Sequence, residues 1–154
     1  QPLLVLAEHG EPRCWQRIAR YVNRYNDWPV LHYGETESLA LLRMAQRQGI
    51  SEQQQARLRR RLVDVHARIR QHWRLPLNSY GLKSVASWRG FQWGQSGVDG
   101  AHALLWWRHW QGEGPERRGS SHALRWIFQY NRDDCRATWA VADWLRHQDQ
   151  AGGS

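Results

Sequence analysis

Val30-Leu31-His32-Tyr33-Gly34-Glu35-Thr36-Glu37 is the stretch on which the fold turns. Val30 to Tyr33 suit a short, covered strand, Gly34 stops it, and an acid-rich segment then enters helical period. Leu39, Leu42 and Met44 carry that period over 36–48, and Gly49 ends it. A strand that feeds a helix is the first half of a parallel α/β unit and calls for a second strand downstream. Leu62-Val63-Asp64-Val65 is the candidate, running into a helix towards Trp73.

Outward from this unit the pattern is mostly helical. Residues 11–26 place Trp15, Ile18, Tyr21, Val22 and Tyr25 on one face and Arg13, Arg17, Arg20 and Arg24 on another, until Asn26-Asp27-Trp28-Pro29 breaks the period. Ser51, with Gln54 three residues on, reads as the capping box of a polar helix. The stretch 74–100 is loop-rich, with a short helix over 79–88 and turns at Gly90, Gly94, Gly97 and Gly100. A helix over 101–111, a flexible loop over 112–119 and one long or two abutting helices over 120–147 complete the chain, and 151–154 reads as a frayed end. Two strands are too few for a sheet of their own. The chain opens on Gln1 and the apolar run 2–7, as though entered partway through a domain.

The composition narrows the function. With 154 residues and 41% hydrophobic content the chain suits one domain or a large piece of one, and intrinsic disorder is excluded. No run approaches the ~20 apolar residues of a membrane span, and no signal segment opens the chain. Cys14 and Cys135 cannot make a disulfide framework; both are expected as buried small apolar residues, and a reducing cytoplasm is the default compartment. Zinc spacing is absent among the eight His. The net charge of +8 comes from 21 Arg and a single Lys, Lys83, and raises the expectation of an anionic partner. A cluster at Arg57, Arg59, Arg60 and Arg61 joins the earlier Arg stripe, and guanidinium groups suit phosphate. Eleven Trp are a heavy load, and helical spacing at Trp106, Trp107 and Trp110, and at Trp126, Trp139 and Trp144, assigns them to packing rather than to base stacking.

Three acids carry possible chemistry: Glu37 at a helix start, Asp64 within the second strand, and Asp134, four residues after Tyr130 and on the same helical face. Hard cations such as Mg²⁺ or Mn²⁺ need oxygen ligands brought from several elements. By themselves these spacings are equally those of helix-dipole and capping residues.

The segments His32-Tyr33-Gly34-Glu35-Thr36-Glu37, Leu62-Val63-Asp64-Val65, Ser79-Tyr80-Gly81-Leu82-Lys83-Ser84-Val85 and Tyr130-Asn131-Arg132-Asp133-Asp134-Cys135 occur in that order. Together they resemble the YprB-type ribonuclease H-like domain, a branch of the DEDD exonuclease superfamily often attached to RecB-like nuclease modules. The resemblance runs from about Trp15 to Leu145. It implies an α/β ribonuclease H-like fold that lacks its first three strands here, and is therefore mostly helical with about two short parallel strands. It implies a partial exonuclease domain over 1–148, with 149–154 as a disordered tail. It implies a metal-dependent 3′–5′ exonuclease acting on DNA or RNA with two Mg²⁺ or Mn²⁺ ions, and a RecB-like nuclease or helicase module as partner.

Matched position by position, Glu37 and Asp134 are metal ligands and Tyr130 orients the attacking water. Asp133 is a neighbouring alternative to Asp134 that points about 100° away around the helix. Asp64 is a supporting or structural acid. On the residues themselves, His32 at a strand end is either packed or a phosphate contact, and Ser79 and Lys83 are either substrate-phosphate contacts or a structural helix start. The Asp-x-Glu pair of the superfamily's first strand does not occur. Two carboxylates bring about −2 against about +4 from a metal pair, so the chain alone is expected to be inactive or weak. A non-catalytic nucleic-acid-binding remnant and a helical module that docks proteins through its Trp-rich surfaces are the alternative readings.

Overall fold

The computed structural model describes residues 10–95, 97–113 and 121–151, which form two compact units, Gln1–Gly81 and Leu82–Ser154. The apolar run 2–7 lies outside the described residues, as does the expected loop over 112–119 beyond Glu113.

In the first unit the order is α1 (Gly10–Arg24), β1 (Val30–His32), α2 (Glu35–Arg47), α3 (Glu52–Arg61), β2 (Leu62–Asp64) and α4 (Val65–His72). Trp15, Ile18, Ala19 and Val22 recur at helical spacing on α1 and pack with Ala45 of α2 and Leu58 of α3, together with Leu41, Leu42, Met44 and Ile50. Tyr21 and Tyr25, assigned to this face by the sequence, are exposed, because the covered stripe is centred on Trp15 and Val22. The start of α1 is tied to the end of α2 by a forked ion pair, Arg47 Nε to Glu11 Oε1 at 2.9 Å and Nη2 to Oε2 at 2.7 Å. That hydrogen-bonded guanidinium holds the Glu11 carboxyl below its usual range. The capping box at Ser51 is present, with the Gln54 N–H donating to Ser51 Oγ.

β1 and β2 do pair, parallel, in the register Val30↔Leu62, Leu31↔Val63 and His32↔Asp64. Val65, expected in the strand, opens α4 instead, because Asp64 caps that helix through the Ala67 N–H at 3.1 Å. Val65 and Ile69 are fully covered and seat α4 in the unit.

The second unit holds α5 (Leu82–Trp88), α6 (Gly100–Gly112) and α7 (His122–Ala151). Residues 120–147 had allowed one helix or two; a single helix of 30 residues, about 45 Å long, runs through Ala151. The expected tail over 149–154 otherwise falls outside the described residues. Both α5 and α6 pack on α7. Ala137, Val141 and Leu145, four apart, are covered, as are Val85 and Ala86 of α5 and Trp110 of α6. Trp88 meets Trp144 edge-on at 5.6 Å between centroids, and Trp106 meets Trp126 at 5.5 Å. No helix among the described residues is long and apolar enough to cross a membrane.

Three further expectations are corrected. The short helix starts at Leu82 rather than at Ser79, whose Oγ accepts the Gly81 N–H at 3.2 Å in the turn before it. Cys135 is exposed and Cys14 half-buried, since the covered stripe of α7 passes through Asp133 and Ala137 instead. Trp126 and Trp139 are exposed for the same reason.

The loop at Gly94 approaches α7 closely: the Gly94 N–H donates to Asp133 Oδ2 at 3.1 Å. A Cβ there would stand 2.6 Å from Gln129 Nε2 and 3.0 Å from Asp133 Oδ2. Gly94→Ala is therefore expected to lower stability by about 1–3 kcal/mol, read as a lower denaturation midpoint at unchanged slope. Wild-type stability would show that the loop is not seated on the helix.

Candidate functional site

In the first unit, the parallel register puts His32 and Asp64 side by side at the strand ends. The chain turns at Gly34, whose φ of 89° lies in the left-handed region that side chains with a Cβ disfavour. Asp64 Oδ1 accepts the Gly34 N–H at 3.1 Å as well as the Ala67 N–H, so one oxygen joins the exit of β1 to the start of α4. His32 is buried, with Nδ1 2.6 Å from the Gly34 carbonyl, which makes Nδ1 the protonated nitrogen. Burial opposes the charge on Asp64, but the N–H groups of Ala67 and Gly34, with His32 nearby, outweigh it and hold the carboxyl below its ordinary 3.8.

The residues around this turn are similarly engaged. Tyr33 donates to the Tyr80 carbonyl at 2.6 Å and stacks on His66 at 5.3 Å; burial, then the Asp64 charge, push its phenol well up. Tyr80 in turn accepts the Leu75 N–H at 2.8 Å. Glu37 stands exposed in the first turn of α2, where the helix dipole favours a carboxylate.

In the second unit, Tyr130 and Asp134 share one face of α7, one helical turn apart. Burial first, then the Asp134 carboxylate, then Asp99, raise the Tyr130 phenol above its ordinary value. Lys83 on α5 extends its Nζ to 5.4 Å from the centroids of both Trp93 and Tyr130, so the ammonium sits on two aromatic faces. Asp133 is 7% exposed and is engaged by Gly94, which separates the two adjacent acids: one holds a loop, the other faces the tyrosine.

Of the residues singled out in the sequence, His32 and Asp64 thus meet in one unit, and Lys83, Tyr130 and Asp134 meet in the other. Ser79 is occupied by its own turn. Sequence reasoning missed Trp93 and Gly94. Gly94 had a signal, a glycine among four in one loop, but a partner 39 residues away leaves no trace in local periodicity.

Mg²⁺ or Mn²⁺ would suit the hard oxygens of Glu37 and Asp134. Among the described residues, however, no group of three or more His, Cys, Asp or Glu could hold a metal ion. A resident metal pair does not fit these residues.

A parallel strand pair with helices packed against it is α/β architecture. A family model of the RNase_H superfamily matches residues 4–146, and the chain belongs to that superfamily. Domains of this type act on nucleic acids, and membership supports a nuclease-like function. Neither the curated proteins nor the solved structures compared with the chain give a match.

Asp64→Ala should lower stability by about 1–2 kcal/mol at neutral pH, since it removes a helix cap and leaves the Gly34 N–H without its acceptor. Because the folded carboxyl titrates below 3.8, its contribution is complete above about pH 4 and disappears as the pH falls through the folded value. The gap between wild type and Asp64→Ala in urea unfolding should therefore close in acid; a constant gap would remove the carboxylate charge from the account.

Proposed function

We propose that the chain is a nuclease domain of 3′–5′ exonuclease type, of the YprB-like DEDD branch, and inactive or weak by itself. Its acidic positions are Glu37 and Asp134, and Tyr130 orients the water that attacks the phosphodiester. The observation that carries this reading is that Tyr130 and Asp134 share one face of α7, one helical turn apart, within a chain of the RNase_H superfamily. A neutral phenol beside a carboxylate can donate to it and still accept from a water. Lys83 over the ring brings a cation to where a scissile phosphate would lie, and His32 and Ser79 are further substrate contacts. A RecB-like nuclease or helicase module is the proposed partner, and the Asp-x-Glu pair that the chemistry calls for is absent from this sequence.

The weak-activity reading follows from charge: Glu37 and Asp134 are too few carboxylates to neutralise two divalent cations. The 154-residue chain is accordingly expected to show little or no Mn²⁺-dependent digestion of single-stranded oligonucleotides. Robust digestion abolished by Asp134→Ala would show that fewer ligands suffice. Robust digestion untouched by Glu37→Ala, Asp134→Ala and Tyr130→Phe would remove all three from the mechanism.

A further inference from the structure

The turn that follows α1 displays large aromatic rings on a rigid mount. Trp28 is 66% exposed, Tyr25 41% and Tyr21 44%, and the Tyr25 and Trp28 rings lie 5.4 Å apart, tilted by 45°. A single side chain from α3 fixes this turn. Arg61 donates from Nη1 to the Val22 carbonyl at 2.9 Å, from Nη2 to Tyr25 at 2.6 Å and from Nε to Trp28 at 3.0 Å. The clamp satisfies carbonyls at the negative end of α1 and holds the backbone beneath both rings. The backbone under the rings is fixed while their faces stay uncovered, and stacking of a partner's flat faces would bury them.

The surroundings indicate which partner. Arg24 lies 5.6 Å over the Tyr25 ring. Beside the turn, between the end of α1 and α3, a groove of about 560 Å³ is lined by Asn23, Asn26, Asp27, Arg57 and Arg60 together with apolar side chains of the first unit's core. Guanidinium groups for phosphates, amides for base edges and open rings for base faces form the set that single strands use. The clustered guanidinium groups, with one carboxylate beside them, favour an anionic strand over a protein partner.

We propose that Tyr25 and Trp28 form a stacking platform for unpaired bases, with the strand's phosphates running along Arg24, Arg57 and Arg60. The proposal deepens the nuclease reading, on which it rests for the class of partner, and names a single-stranded segment as what the first unit grips.

The test is fluorescence anisotropy of a labelled oligothymidylate with the full chain in EDTA, so that binding is read apart from cleavage. Trp28→Ala is expected to weaken binding about tenfold, and Trp28→Phe, which keeps a stacking face, far less. The double change Arg57→Ala with Arg60→Ala should weaken binding and flatten the salt dependence by about 1.4 in log–log slope. A duplex, whose bases are already stacked, should be insensitive to Trp28→Ala. Thermal unfolding of each variant checks that the fold is kept. Unchanged oligothymidylate binding in Trp28→Ala overturns the proposal and leaves the patch to a protein partner, and so does an equal loss on duplex or no binding by the wild-type chain. Because binding is read in EDTA, its outcome stands apart from the digestion assay, in which little or no cleavage by this chain is the expected result; binding through Trp28 without cleavage therefore supports the platform and agrees with a chain inactive by itself.

Discussion

Two backbone N–H groups, those of Gly34 and Ala67, converge on one oxygen of Asp64. The arrangement of the first unit depends on that convergence. A parallel pair of three-residue strands has few ladder bonds, so it is marginal without support at its ends. The carboxylate supplies that support by binding the turn after β1 and capping the helix after β2 at once. It also dictates where β2 stops, because a residue that caps a helix cannot also sit mid-strand. His32, across the register, donates to the same turn, and Tyr33 next along reaches Tyr80. The strand exit is thereby a hydrogen-bonded knot from which Glu37 projects into solvent.

The second unit solves a different problem. A helix of 30 residues needs more than propensity to hold it in place, and α5 and α6 cover its stripe of Ala137, Val141 and Leu145. The loop between α5 and α6 is drawn in by Asp133, a buried acid satisfied by a backbone N–H where only a glycine fits. Successive acids on a helix point about 100° apart, so burying Asp133 turns Asp134 towards the face that carries Tyr130. The loop contact and the phenol–carboxylate pair are in this sense one arrangement.

The first unit uses its charge unevenly. Glu11 and Arg47 pair, and Arg61 is committed to carbonyls, while Arg13, Arg20, Arg24, Arg57 and Arg60 stay exposed. The exposed set lies on α1 and α3, where Tyr21, Tyr25 and Trp28 also emerge. An excess of positive charge interleaved with open rings is consistent with the nucleic-acid partner that superfamily membership brings. Trp15 and Trp110, by contrast, are buried, so the eleven Trp divide between core and surface.

By itself the sequence determined what short-range physics controls. Apolar spacing marked α1, α2 and α6, Gly34 and Gly49 bounded α2, Ser51 and Gln54 announced a capping box, and Tyr130 and Asp134 were bound to share a face because four residues make about one helical turn. The ordered motifs also placed the chain among ribonuclease H-like domains, in agreement with the superfamily match. Only the tertiary structure decided that Asp64 is shared by two backbone segments, that Asp133 is buried and Cys135 exposed, that Lys83 rests on two rings, and that Arg61 supports Trp28. Each of these depends on at least one partner 30 or more residues away, or on which stripe of a helix its neighbours cover. Periodicity shows that a helix has faces; which face is covered is decided by the elements packed against it.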